Sequence, residues 1–257
     1  MEISVIINCH NSEKYLKKTI ISVLDQTYKD FELIIFDNNS IDSTKEIVET
    51  FKDSRIKYFS TVTKYNLGKA RELAVKNAKN SWISFIDSDD LWLSNKLYEQ
   101  VEYIKKNSEV GLVYTDYIYI NEHDIELKKK SYTEYYKSLT IEKLIKKNFI
   151  CFSSIIFNKE KIRSNNTFNK ILKNSEDFDL ILKIAKYESL GFIKKKLVKY
   201  RLHQNNLTKF QTKRSYSEWQ YLVYKYSKNH LEIKKMIKKK YKFENLKNKF
   251  KKILKYH

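Results

Sequence analysis

Through its first 115 residues the chain alternates between two hydrophobic periods, and few architectures accept that alternation. Short, mainly apolar runs at 3–7, 31–36, 56–59, 82–86 and 111–114 have the length of buried strands. Between them, apolar residues recur at helical spacing: Leu16, Ile20, Val23 and Leu24; Ile47, Val48 and Phe51; Ala70, Leu73, Ala74 and Ala78; Leu97, Val101 and Ile104. Ser12 and Asp42 are placed to cap the first two helices, offering side-chain oxygens to unpaired backbone N–H groups. The order strand, helix, strand, helix predicts an α/β fold with a doubly wound, mostly parallel sheet. Such sheets bind ligands beyond the carboxyl ends of their strands, so polar residues there are the first candidates for function.

After Tyr114 the pattern loosens into a polar, Tyr-rich segment reaching about Leu139. A helix is expected at 141–147, an apolar run occupies 149–157, and a helix at 176–187 gathers Phe178, Ile181, Leu182 and Ala185 on one face. A strand is expected at 192–200. From Trp219 onward the chain reads as helical and basic, with Leu246, Phe250, Ile253 and Leu254 at amphipathic spacing. Residues 206–257 carry 16 basic and 3 acidic residues, net +13 of the whole chain's +20, so this tail is a separate electrostatic object.

At 257 residues and 42% hydrophobic content, the chain suits one large domain or a domain with an appendage and excludes general disorder. Cys9 and Cys151 lie far apart without metal-site spacing, which points to a reducing compartment. No apolar stretch approaches the roughly 18 residues of a membrane span, and the first residues lack the pattern of a signal peptide. A cytoplasmic protein is expected.

Three polar clusters sit where strands end. Asn8, Cys9, His10 and Asn11 follow the first run, and Asp37, Asn38, Asn39 and Ser40 follow the second. Either cluster is compatible with ordinary turn chemistry, but an Asp or Asn at such an end also hydrogen-bonds a nucleobase edge or ribose hydroxyls. The third cluster, Asp87, Ser88, Asp89 and Asp90, closes the most hydrophobic run. Three carboxylates in four residues repel one another unless a cation or hydrogen-bond donors offset the charge. Asp87 and Asp89 can bracket a metal-bound diphosphate, since Mg or Mn binds through one or two carboxylates plus phosphate oxygens; a helix N-terminal acidic cluster is the alternative.

These segments resemble the non-processive glycosyltransferases of family 2. The resemblance is carried by SVIINCHN from Ser4, SVLDQTYKDFELIIFDNNSIDST from Ser22, NLGKAR from Asn66 and SWISFIDSDDLW from Ser81. SEDFDLILKIA from Ser175 and YRLH from Tyr200 extend it over about the first 205 residues. It implies a GT-A fold with a nucleotide-sugar-binding half at 1–115, an acceptor-binding half at 116–205 and a basic amphipathic helical tail at 206–257. It implies donor contacts from Asn8, His10, Asn11, Asn66, Lys69, Arg71, Ser88 and Arg201, with Asp37 and Asn38 on base and ribose. Asp87 would touch ribose or metal, Asp89 and His203 would complete the site of a Mn or Mg ion, and Asp177 would be the general base. Asn8 and His10 stand where the family usually has Pro and Tyr, and Asn38 replaces the second acid of a pair.

The activity so implied is inverting transfer of one sugar from a nucleotide-sugar, with uridine as the expected base, to a hydroxyl of a glycan or lipid-linked acceptor in surface polysaccharide synthesis. The basic tail would hold the protein at an anionic membrane surface on the inner face of the cell membrane. Two rivals are a nucleic-acid-binding protein that uses the basic surface and a metal-dependent nucleotidyltransferase. Nucleic acid is not expected as a partner, because the aspartates occupy the ligand end of the sheet while the basic surplus lies in the tail. The QxxRW motif of processive synthases and the P-loop GxxxxGK[ST] are both absent from the sequence.

Overall fold

A computed structural model describes residues 1–131, 133, 139–146, 148–204, 206 and 213–227. Eight strands form one mixed sheet in the order β3-β2-β1-β4-β7-β6-β8-β5. β1 (Ile3–Cys9), β2 (Phe31–Asp37), β3 (Ile56–Ser60) and β4 (Trp82–Asp87) are parallel. β6 (Val110–Ile120) pairs in parallel with β8 (Ser189–Arg201), while the short β7 (Ile156–Asn158) and β5 (Leu91–Trp92) pair antiparallel. This is the α/β sheet anticipated from the alternating periods, with antiparallel pairs added, and it is of the GT-A type that the family resemblance implied.

Both faces of the sheet are covered, which explains why its central strands are apolar without alternation. All seven residues of β2 are buried. On one face, Ile6, Ile34, Phe36 and Phe85 pack under α3 (Leu67–Lys76) and α6 (Glu176–Ala185). On the other, Val5, Ile7, Leu33 and Ile35 pack under α1 (Leu16–Leu24), α2 (Thr44–Glu49) and α4 (Lys96–Lys106). Register sets the position of the site, with Cys9 opposite Asp37, and Asn8 opposite Phe36 on one side and Asp87 on the other.

Four features differ from the sequence expectation. β6 continues six residues past Tyr114, because Tyr117 and Tyr119 are buried with their hydroxyls 3.1 Å apart rather than exposed in a loop. Of the apolar run 149–157, only the end is strand, and residues Phe152–Ser154 form a 3-10 turn beneath the aspartate loop. Ser12 does not cap as expected, whereas Asp42 does offer an oxygen to the first N–H of α2. Ser12 Oγ receives His10 N–H at 3.2 Å, and Asp42 joins the two loops by accepting from Thr44 N at 3.1 Å and Glu13 N at 3.0 Å.

The last difference concerns the tail. After α5 (Ile141–Lys146), helix α7 (Lys213–Tyr226) is packed on the domain, with Leu222 and Val223 fully buried. The Glu218 carboxylate accepts the N–H groups of Lys173 and Asn174 at 3.0 and 2.9 Å. Lys225 Nζ and Tyr226 OH reach Asp179 Oδ1 at 2.8 and 2.9 Å. The boundary expected at 205 therefore moves C-terminal to α7. The amphipathic spacing of Leu246, Phe250, Ile253 and Leu254 lies outside the described residues.

Candidate active site

The ends of β1, β2 and β4 form the floor of the site. The loops after β1 and β2 are locked together by left-handed residues, Asn11 at φ 51° and Asn39 at φ 62°, a conformation that Asn tolerates better than other side-chain-bearing residues. Asn11 N–H donates to Ser40 Oγ, and Ile41 N–H returns to Asn11 Oδ1, each at 2.9 Å. His10 Nδ1 lies 3.0 Å from Asn38 O. The two groups expected on the base and ribose are buried and already engaged. Asp37 accepts from Ser40 N at 2.9 Å and from Tyr58 OH at 2.7 Å. Burial and the Asp37 charge hold the Tyr58 hydroxyl protonated by pushing its pKa up. Asn38 spends both ends of its amide on the main chain of Tyr65, at 2.9 Å each. Asp37 keeps acceptor capacity on both oxygens beyond these two bonds, while Asn38 is committed to the neighbouring main chain.

The aspartate cluster divides its work. Asp87 keeps 40% of its side chain exposed toward the cleft, whereas Asp90 is buried. Ser153, from the 3-10 turn, accepts Asp87 N–H at 3.0 Å and donates to Asp90 Oδ2 at 2.6 Å, so Asp90 supports the loop. Thr19 Oγ1 reaches the carbonyls of Ser88 and Asp90 at 3.0 and 2.8 Å, and Ser88 Oγ lies 2.9 Å from Ser12 Oγ. Asp89 is left beside His203, whose Nε2 is 2.7 Å from Asp89 Oδ2.

Arg201 corrects the sequence reading. It is fully buried rather than open to solvent. Its main-chain N–H donates to Asp90 Oδ1 at 2.9 Å, and its guanidinium donates to Asp89 O at 2.7 Å and Asn121 O at 3.0 Å. It also pairs with Asp124 at 2.5 Å and lies over the Tyr15 ring at 4.5 Å. Arg201 therefore fastens the aspartate loop to the turn after β6.

A second buried arginine links the strand end to α6. Arg71, only 5% exposed, donates from Nη2 to Asp87 at 2.9 Å and from Nη1 to Glu176 at 2.7 Å. Its guanidinium stacks 4.0 Å from the Phe152 ring centroid. α3 places it there because Asn66 caps the helix, accepting Lys69 N–H at 2.9 Å and donating to Lys170 O at 2.9 Å. Gly68 permits the approach, since a Cβ there would lie 2.5 Å from Asn169 O. Lys69 itself lies over Tyr65 at 5.3 Å and does not join the carboxylates.

Next to Glu176, Asp177 is half-buried and accepts the Phe178 N–H at 2.6 Å. Desolvation is the main force on all three carboxyls, with the Arg71 charge opposing it. It pushes Glu176 up to about 7 and Asp87 up to about 6, where Asp89 and Asp177 add repulsion. Asp177 is raised too. Sequence reasoning did not assign Glu176, Ser153 or Thr19. The adjacency of Glu176 to Asp177 was the available signal for the first, and nothing in the sequence marks the other two.

Among the described residues, no group of three or more His, Cys, Asp or Glu side chains converges as a metal centre. Asp87 and Asp89 supply hard oxygen ligands of the kind Mg or Mn takes alongside phosphate oxygens, so the donor set fits such an ion. His203 Nε2 lies 2.7 Å from Asp89 Oδ2, so two of the groups expected at the ion adjoin each other.

Residues 4–165 match the family described as glycosyl transferase family 2. The chain is 32% identical over 222 residues to the Escherichia coli UDP-Glc:alpha-D-GlcNAc-diphosphoundecaprenol beta-1,3-glucosyltransferase WfgD, covering 86% of this chain and 85% of that one. An uncharacterized glycosyltransferase of Methanocaldococcus jannaschii is 28% identical, covering 89% and 81%. Among solved structures, S. aureus TarS 1–349 in complex with UDP-GlcNAc superposes with a TM-score of 0.72 at 20% identity, over 87% of this chain and 66% of TarS 1–349. Against the longer TarS structure the chain spans 43% of its length.

Proposed function

Because the chain belongs to glycosyl transferase family 2, we propose that this glycosyltransferase moves one sugar from a uridine nucleotide-sugar to a hydroxyl of a lipid-linked glycan, inverting the anomeric centre. One observation carries the reading: Arg71 joins Asp87, at the end of β4, to the Glu176–Asp177 start of α6. A carboxylate suited to the departing diphosphate and a carboxylate suited to the incoming hydroxyl then share one cleft. The choice of donor and acceptor class is supported by the 85% coverage of WfgD, whose name specifies UDP-Glc and a GlcNAc-diphosphoundecaprenol acceptor.

Inverting transfer is a single displacement. The acceptor oxygen bonds to the anomeric carbon while the bond from that carbon to the diphosphate oxygen breaks, and the hydroxyl proton goes to Asp177. A carboxyl raised by desolvation is the stronger base for that step. Glu176 stays on Arg71 and fixes the start of α6, so Asp177 faces the acceptor side. A Mn or Mg ion held by Asp87 and Asp89 would neutralise the charge growing on the diphosphate. Arg71 orients Asp87, and His203 orients Asp89.

The basic surplus of the C-terminal residues, 12 basic against 2 acidic from 228 to 257, would bring the enzyme to the anionic surface on which a lipid-linked acceptor sits. No described helix is long and apolar enough to cross a membrane. The nucleic-acid-binding and nucleotidyl-transfer readings gain no support from the family assignment.

The test is direct. The purified full-length chain is incubated with a panel of UDP-sugars, Mn or Mg, and a GlcNAc-diphospho-lipid analogue. The expected result is release of UDP and an acceptor heavier by one hexose or N-acetylhexosamine. Release of pyrophosphate with transfer of a nucleotidyl group would overturn the proposal.

A further inference from the structure

The strand that carries Asp87 loses one neighbour before it reaches the site. β4 pairs with β7 only from Trp82 to Ser84, opposite Asn158 to Ile156, so the ladder on that side ends three residues short of Asp87. The chain leading into β7 is instead the 3-10 turn Phe152–Ser154, and there the Ser153 hydroxyl accepts the Asp87 N–H in place of a strand carbonyl.

This turn is fixed from three directions. The consecutive carbonyls of Ser153, Ser154 and Ile155 each receive a side-chain donor from a different element: Trp92 Nε1 of β5 at 2.8 Å, Gln100 Nε2 of α4 at 2.9 Å and Ser84 Oγ of β4 at 2.7 Å. Ser84 Oγ in turn accepts from the fully buried Lys96 Nζ at 2.9 Å. A buried polar network in which each member is engaged holds one arrangement, so the turn has little freedom to shift. What it presents to the site is one hydroxyl and one ring. Ser153 Oγ accepts from Asp87 N at 3.0 Å and donates to Asp90 Oδ2 at 2.6 Å. The Phe152 ring lies 4.0 Å from the Arg71 guanidinium, which holds the Asp87 carboxylate. Asp87 is thus fixed at its main chain by one residue of the turn and at its carboxylate through the next.

We infer that Ser153 is a positioning residue for the diphosphate end of the donor, holding Asp87 and the loop that carries Asp89 ready for a divalent ion. This rests on the donor-site reading above and adds a group that touches neither ion nor donor. Asp89 lies between Asp87 and Asp90 in the chain, so one hydroxyl bonded to both flanking residues closes the loop into a fixed span. Without that bridge the carboxylates repel one another across an open loop, and the oxygens offered to the ion are no longer pre-set.

The experiment measures UDP binding to the full-length chain by calorimetry, once in Mg and once in chelator, with thermal unfolding of each variant. The wild type should bind UDP more tightly in Mg. Ser153→Ala should lower the affinity in Mg by roughly 10-fold and leave the affinity in chelator within about twofold, because it disturbs the aspartate loop alone. Ser154→Ala is the matched control: that serine is equally buried in the same turn, but its hydroxyl donates to Cys151 O at 2.7 Å. It should leave both affinities unchanged. Ser153→Cys keeps the buried volume with a weak donor and acceptor, so it should fall between Ser153→Ala and the wild type, and it carries the test if the alanine variant does not fold. Wild-type affinity in Mg for the Ser153 variants, an equal loss in Ser154→Ala, or a parallel loss in chelator would each overturn the role of Ser153. A wild type whose UDP affinity is the same in Mg and in chelator would overturn the reading of the ion and diphosphate site itself.

Discussion

Arg71 and Glu176 form a 2.7 Å ion pair with side chains only 5% and 2% exposed, and it ties α3 to α6 across the end of the sheet. Removing Glu176 leaves the buried Arg71 with only the more exposed Asp87 as a carboxylate partner, and breaking such a pair typically costs more than the pair contributes. At pH 8, Glu176→Ala should lower the unfolding free energy by about 3 kcal/mol, read from the urea midpoint at unchanged slope. A change within 0.5 kcal/mol, the usual range for surface substitutions, would mean that the pair is solvated.

The same carboxyl makes stability depend on pH. Burial raises Glu176 from 4.5 to about 7, so between those values the native state holds a proton that the unfolded chain has released. Its contribution is complete below pH 4.5 and is lost as pH climbs toward 7. The difference in stability between wild type and Glu176→Gln should therefore drift against the wild type across that interval and level off above it. A flat difference would place the native pKa of Glu176 at its ordinary value.

Most of this geometry follows from features a sequence displays, and the exceptions have physical causes. β1 to β4 and their helices were legible because strands buried on both faces are nearly continuous in apolar residues, as Leu33 to Phe36 are. The aspartates were legible because like charges rarely crowd without purpose. What could not be read is which polar group turns inward. Arg201 looks like a surface residue at a strand end, yet it is buried by partners from residues 89, 90, 121 and 124. Asn38 looks like a free amide because its partner, Tyr65, is 27 residues away. α7 was assigned to a separate tail because its basic composition hides Leu222 and Val223.

Asp177 should separate binding from chemistry. Asp177→Asn keeps the shape and the bond from Phe178 N–H but cannot take up the acceptor proton. UDP affinity should stay within about twofold while kcat falls by roughly 100-fold or more. The wild-type acid limb of kcat should lie above the ordinary carboxylate range of about 4. Loss of UDP binding in a folded Asp177→Asn would reassign the residue to the donor.

Metal dependence should be visible at two levels. Chelation should abolish transfer, Mn or Mg should restore it, and Asp89→Ala should be inactive at any metal concentration, on the order of 3 kcal/mol or more in the barrier. His203→Ala should instead raise the metal concentration for half-maximal rate by roughly 10-fold, the usual effect of losing a hydrogen-bond partner behind a ligand. Identical titrations for His203→Ala and wild type would show that Asp89 needs no orientation.

The packing of α7 decides where the chain can be cut. A stop near Phe210 removes Leu222 and Val223 from the core and the Glu218 carboxylate from Lys173 and Asn174, so it should unfold the domain. A stop after Ser227 removes none of these and deletes only the segment with 12 basic and 2 acidic residues. Each basic side chain near an anionic bilayer contributes about 1 kcal/mol at low screening, so a handful suffices for reversible attachment. The full-length chain should pellet with vesicles containing phosphatidylglycerol and be released as salt rises. The variant ending at Ser227 should remain in the supernatant, hydrolyse donor at the wild-type rate, and lose transfer only to acceptors embedded in the vesicle. Were the two proteins to pellet equally, the attraction would reside on the folded domain, and the C-terminal charge would need another explanation.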